Sequence, residues 1–141
     1  MMIEIRKNRN ISIEYLKCNN NAENPTNITL FLYHGAMGSS SQFDYLLPAL
    51  QNKFNICKYD ALGCGNSDKP HNMDAYNTES LCLDAFEIYK RYSTTYNILV
   101  GHSYGTSLIS WLVKDIKVNS SDYDKEKRIS SFILLGTSLI V

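Results

Sequence analysis

The sequence has 141 residues, 44% of them apolar, and fourteen Lys and Arg balance fourteen Asp and Glu. That length fits one domain with a genuine core, and that apolar content argues against intrinsic disorder. A net charge of zero argues against nucleic acid or an anionic membrane as the main partner, because both select a basic footprint.

Met2 to Arg6 (MIEIR) and Ile11 to Leu16 (ISIEYL) alternate apolar and polar residues across the short polar link 7–10. That reads as a β-hairpin with one buried face. Residues 19–27 (NNNAENPTN) form a loop by composition. The pattern then changes. Ile28 to Tyr33 (ITLFLY) is a continuous apolar run, as expected of a strand covered on both faces. Ser41 to Gln51 carries apolar residues at helical spacing, with Pro48 inside predicting a break or kink. Phe54 to Tyr59 is a further strand, and the Gly-rich stretch Asp60 to Pro70 is a loop. Thr78 to Tyr92 repeats apolar residues at 81, 85, 88, 89 and 92, a helix capped by Asn77 or Thr78. Tyr96 to Val100 is a strand. Ser103 to Lys117 is apolar nearly all round, which predicts a central, buried helix. Residues 119–128 read as a solvated loop or frayed helix end, and Ser131 to Leu135 as a strand.

After the hairpin, strands alternate with helices. That order predicts an α/β fold, a doubly wound, mostly parallel sheet preceded by an antiparallel hairpin. The sequence stops at Val141, straight after the apolar run FILLGTSLIV. An uncovered apolar strand is a poor place to end a fold, so the expectation is an incomplete domain.

Cys18, Cys57, Cys64 and Cys82 form no CxxC pair and have no His at ligand spacing, so four free thiols are expected and no metal. The first ten residues lack the apolar core of a signal peptide, and no run of about 18 apolar residues occurs. A cytoplasmic protein without an integral membrane segment is the expectation. No cofactor is implied.

Three short motifs carry chemistry. Gly101-His102-Ser103-Tyr104-Gly105 matches G-x-S-x-G between a predicted strand and a predicted buried helix, the context in which that motif is a nucleophile elbow. The serine must sit at the tip of a strained turn, so that its hydroxyl projects free of the sheet. The flanking glycines avoid collisions there. The Tyr104 N–H, at the helix start, is placed to hold a developing oxyanion. His34-Gly35-Ala36-Met37-Gly38 ends the Ile28 strand, and the Ala36 N–H is the candidate second oxyanion donor. His34 itself reads as structural, its ring bonded to loop backbone. Asp60-x-x-Gly63-x-Gly65-x-Ser67 ends the next strand and reads as a tight structural turn. It lacks G-K-[ST] and is no phosphate loop.

Together, His34-Gly35, the Asp60 turn and Gly101-x-Ser103-x-Gly105 resemble, in order and spacing, the α/β-hydrolase superfamily, and most closely its lidded, esterase- and lipase-like branch. The resemblance covers the chain from the hairpin to about the sixth strand. It implies that residues 1–141 are the N-terminal part of a single domain, with the lid and the C-terminal triad segment absent. It further implies Ser103 as nucleophile and the backbone of Ala36 and Tyr104 as oxyanion hole. Related dehalogenases and epoxide hydrolases carry an Asp where this chain has Ser103, which favours acyl transfer. A small-molecule acyl substrate follows, an ester, thioester or amide, with a carboxylester or lipid-like group favoured. Met37, Phe43, His102 and Tyr104 are candidate pocket-lining residues, with a core role the plainer reading of each.

The triad order Ser, Asp/Glu, His requires a histidine after the nucleophile. The three histidines are His34, His71 and His102, all before Ser103. His102 is adjacent in the elbow and cannot fold back with triad geometry, and His71 lies in a loop after Pro70. Asp115, Asp122 and Asp124 follow Ser103 but sit on or just past the helix, away from the strand ends, and take no role. The 141 residues alone are therefore expected to turn over little or no substrate. The alternative is a non-catalytic relic of the fold, or an interaction domain.

Overall fold

The structure is a computed structural model that describes residues 1–18, 26–118 and 127–136, and the side chains of all of these except 115–118. The loops expected at 19–27 and 119–128, the side chains of Asp115, Asp122 and Asp124, and the last residues to Val141 lie wholly or mostly outside the described residues.

Six strands form one sheet: β1 (Met2–Arg6), β2 (Arg9–Leu16), β3 (Ile28–Tyr33), β4 (Asn55–Tyr59), β5 (Tyr96–His102) and β6 (Arg128–Leu135). Their order is β1-β2-β4-β3-β5-β6. β1 and β2 are the expected hairpin, and β2 runs antiparallel to β4, while β4, β3, β5 and β6 are mutually parallel. The doubly wound, mostly parallel sheet read from the alternating elements is the observed architecture.

The period-2 geometry of the strands sorts side chains onto two faces. Phe31 and Tyr33 of β3 pack with Leu99, Cys57 and Tyr59 beneath two helices, α2 (Thr78–Tyr92) and α3 (Tyr104–Val118). Leu30 and Leu32 point the other way, against Phe43, Ile56 and Val100. α2 has the expected bounds. Asn77 caps it, accepting the Ser80 N–H at 2.7 Å, and Lys90 and Arg91 sit in its last turn, each favourable to the helix dipole or its orphan N–H groups.

Two expectations need correction. The helix expected over Ser41 to Gln51 is a 3-10 segment (Ser40–Leu46) followed by a single α turn, α1 (Leu47–Leu50). Pro48 explains this. It has no N–H to give a helix, so it is accommodated only in the first turn of α1. α3 is not buried all round. Leu108, Ile109 and Leu112 are buried, but Trp111 is 44% exposed and Lys114 lies over its ring. The helix lays one face on the sheet and α2, and its outer face carries Ser110, Trp111 and Lys114. β6, by contrast, is the uncovered apolar strand expected from the sequence, an open edge among the described residues. Phe132, Ile133, Leu134 and Leu135 are 40–47% exposed, because no described strand pairs on its far side.

The hairpin is fastened to α2 by charge. Asp84 is 1% exposed. Its carboxylate accepts Arg6 Nε at 2.8 Å and Arg9 Nε at 2.7 Å, with Arg9 Nη2 closing a second ion pair. Asp84 lies on the stripe of Leu81, Ala85 and Ile88, so a charge on an apolar face was the signal the sequence offered for this contact.

Candidate active site

The site is built where β3 and β5 end, at the carboxyl edge of the parallel strands. β5 runs out through Gly101 and His102, and α3 begins at Tyr104, so Ser103 alone makes the turn. Its φ is +50°, a conformation that costs a non-glycine residue about 1–2 kcal/mol. The surroundings enforce it. The Ser103 N–H donates to the Leu135 carbonyl at 2.9 Å, tying the turn to β6. Its carbonyl accepts the N–H and the hydroxyl of Thr106, at 2.9 and 2.7 Å, which locks the first turn of α3.

The two flanking glycines are steric requirements. A Cβ on Gly105 would stand 2.2 Å from the Tyr33 carbonyl oxygen, and one on Gly101 would stand 2.8 Å from the backbone of Gly105. The start of α3 therefore rests directly on the end of β3. Gly35 completes the contact from the other side. A Cβ there would lie 3.0 Å from His102 Nδ1 and 3.3 Å from the Ser103 Cβ. The exit of β3 and the Ser103 turn are thus touching neighbours.

The loop after β3 is held by polar contacts. His34 is 5% exposed. Its Nδ1 bonds the Gly35 carbonyl at 2.7 Å, and its Nε2 accepts the Ala61 N–H at 2.9 Å. The Gly35 carbonyl also accepts the Gly38 N–H at 3.2 Å. Gln42 faces this loop, its Oε1 3.5 Å from the Gly35 nitrogen. Burial lowers the His34 pKa, against the contrary pull of its Gly35 bond and of Asp60. The Asp60 carboxylate closes the neighbouring loop, accepting Ser40 N–H at 2.7 Å and Asn66 N–H at 2.9 Å. Burial alone would raise its pKa, but those two N–H groups and His34 outweigh it, and the carboxyl lies below its usual range.

Among the described residues, no protein acceptor meets the N–H of Ala36 or of Tyr104, and the Ser103 hydroxyl has no protein partner. A half-buried hydroxyl beside unengaged backbone donors, one of them at a helix start, can serve nucleophilic attack on a carbonyl. Of the remaining candidates, His102 is exposed with its ring against Gly35. Met37 is 98% exposed at φ +57°, while Phe43 is 2% exposed and belongs to the core. His71 is exposed. Gln42 was missed from sequence, since a glutamine in a serine-rich stretch carries no signal. A cleft of about 640 Å³ lies away from Ser103, between β2 and the Ser39–Ser41 stretch, above Lys58. Lys58 is paired there with Glu14 and Asp44. No group of three or more His, Cys, Asp or Glu among the described residues could hold a metal, and no described helix is long and apolar enough to cross a membrane.

Residues 28–140 match the family described as alpha/beta hydrolase fold. Protein ABHD8 of Homo sapiens is 33% identical over 92 residues, covering 62% of this chain and 20% of that protein. A proline iminopeptidase of Saccharolobus solfataricus is 36% identical over 87 residues, 59% of this chain and 27% of that one. Among solved structures, an esterase from Exiguobacterium antarcticum superposes with a TM-score of 0.75 at 18% identity, over 99% of this chain and 46% of that one. The chain thus spans about a fifth to a half of the length of these proteins.

Proposed function

The chain belongs to the α/β-hydrolase family, and from that premise we propose that it carries the nucleophile half of a serine hydrolase. The observation that carries the reading is the Ser103 turn, at φ +50° between β5 and α3, beside the unengaged N–H groups of Ala36 and Tyr104. Ser103 Oγ attacks the carbonyl of an ester, thioester or amide. The two N–H groups take up the charge on the carbonyl oxygen, the leaving group departs with a proton, and water then hydrolyses the acyl-enzyme. A carboxylester or lipid-like substrate is favoured, and the lid and the acid–histidine pair are supplied by a segment beyond these 141 residues.

The native-length polypeptide is expected to hydrolyse p-nitrophenyl esters and to lose that activity at Ser103→Ala. Undiminished hydrolysis by Ser103→Ala overturns the proposal. The 141-residue chain alone should turn over little or no ester, because removing one triad member forfeits most of the advantage of the other two. Robust turnover by that chain, lost at Ser103→Ala, would show that a base exists within it. The second reading is a non-catalytic member of the family. A native-length polypeptide that is inert towards esters, thioesters and amides supports it.

A further inference from the structure

We propose that His34 is a positioning residue: its neutral ring, protonated at Nδ1, aims the Ala36 N–H at the reacting centre, and acid favours opening of this loop, because only the opened ring readily takes a proton on Nε2. The catalytic meaning of the aim rests on the reading above; the aim itself does not.

The tautomer follows from the partners. Ala61 offers an N–H, which only a lone pair can accept, so Nε2 carries no proton. Gly35 offers a carbonyl, which only a donor can meet, so the proton is on Nδ1. Both partners are backbone groups whose polarity cannot change, and a ring buried between them has one way to satisfy both.

The aim follows from peptide planarity. The Gly35 carbonyl and the Ala36 N–H belong to one trans peptide, so they point in opposite directions. His34 Nδ1–H and the Gly38 N–H pin the carbonyl end into the protein. The Ala36 N–H is therefore turned away from the His34 ring, in the loop whose Gly35 borders Ser103. A second tie fixes the ring itself: the Ala61 N–H anchors it to the loop after β4, which Asp60 closes through Ser40 and Asn66. The imidazole thus spans two loops and sets the direction of one peptide plane.

Protonation undoes this arrangement. With a proton on Nε2, two N–H groups face each other across 2.9 Å, and the bond to Ala61 becomes a repulsion. Asp60 is the charged group that acts on the ring, and it favours the protonated form. From the elbow side the nearest titratable ring is His102, lying against Gly35. Burial opposes the charge and dominates. The sign is then fixed. The open loop, with an ordinary His34, takes up protons from about pH 6.5 downward, and the closed loop does so only at lower pH, so acid favours opening.

The experiment is NMR on the native-length polypeptide, with His34→Gln as the comparison. Glutamine keeps one donor and one acceptor but does not titrate. Ring nitrogen shifts at pH 7.5 should show Nδ1 protonated and Nε2 bare. Between pH 7.5 and 5.5, hydrogen-exchange protection of the Ala61 amide, corrected for intrinsic rate, should fall by up to about tenfold in the wild type. The Ala36 N–H residual dipolar coupling should change over the same range. Both should stay flat in His34→Gln. An Nε2-protonated ring, or a fall in protection of less than twofold, overturns the proposal. So does an equal fall in His34→Gln. If His34→Gln does not fold, the ring tautomer and the wild-type titration decide alone. None of these readouts depends on turnover, so they stand apart from the Ser103→Ala test: ester hydrolysis can fail while the His34 device is present, and the reverse.

Discussion

The two strand exits that meet at the site are built on opposite principles. The exit of β5 is held by close packing and by bonds that no proton can switch: Gly101 and Gly105 leave no room for a Cβ, and Ser103 is fixed at φ +50° through Leu135 and Thr106. The exit of β3 is held by hydrogen bonds, from His34, Gly38 and, across the gap, the Asp60 loop. Close packing is indifferent to pH, whereas a hydrogen bond through a titratable ring is not. Ser103 is therefore fixed in place wherever the protein is folded, while the Ala36 peptide is open to adjustment.

The sharpest way to break this contrast is to place a methyl group at each exit. Gly105→Ala is expected to be the most damaging change, because its Cβ would fall 2.2 Å from the backbone oxygen of Tyr33 and nothing there can swing aside. A loss above about 4 kcal/mol, or failure to fold, is the expected result in urea titration. Gly101→Ala should follow at about 2–3 kcal/mol, since its clash at 2.8 Å is also with backbone. At the β3 exit the lesion is polar. Asp60→Ala deletes an acceptor of two backbone N–H groups and should cost about 2 kcal/mol. Because the folded carboxyl lies below its usual range, its contribution is complete above about pH 4 and disappears as pH falls through the folded pKa. The acid-unfolding midpoint of Asp60→Ala should accordingly move to higher pH than that of the wild type. Gly35→Ala tests the boundary between the exits. Its Cβ would meet the exposed His102 ring at 3.0 Å, a neighbour able to turn away, so the cost should stay near 1 kcal/mol.

The same contrast explains what could be read from the sequence. The steric exit was legible, because glycine spacing around Ser103 encodes it directly. So were the parallel sheet and the bounds of α2, where Asn77 and the apolar repeat mark the limits. The polar exit was legible only in its residues. That His34 bonds Gly35 and Ala61 depends on where two loops, 27 residues apart, come to lie. Burial was the least legible property. Ile28–Tyr33 and Arg128–Leu135 have equally apolar cores, yet β3 is interior and β6 is an open edge. Hydropathy reports what a strand needs to cover, and pairing alone decides whether it is covered.

The smallest expected effects sharpen the comparison most, because they separate strain from function. Met37 and Ser103 share nearly the same left-handed backbone, φ +57° and +50°, one on each exit. Met37 is 98% exposed, so Met37→Gly gives up no packing. Glycine relieves the left-handed strain but adds freedom to the unfolded chain, and the net gain should be about 0.5 kcal/mol, read as a higher urea midpoint at unchanged slope. Ser103→Gly relieves the same strain, and its turn is held by bonds to the backbone of Ser103 that glycine retains. It should gain a similar amount while abolishing the activity proposed for the native-length polypeptide. A protein that grows more stable when its candidate nucleophile is removed has been holding that residue against its own conformational preference, which is what a reactive position on a strained turn requires. Equal losses at both positions would instead mean that the left-handed turns are packed from outside, and that Ser103 is held there for structure alone.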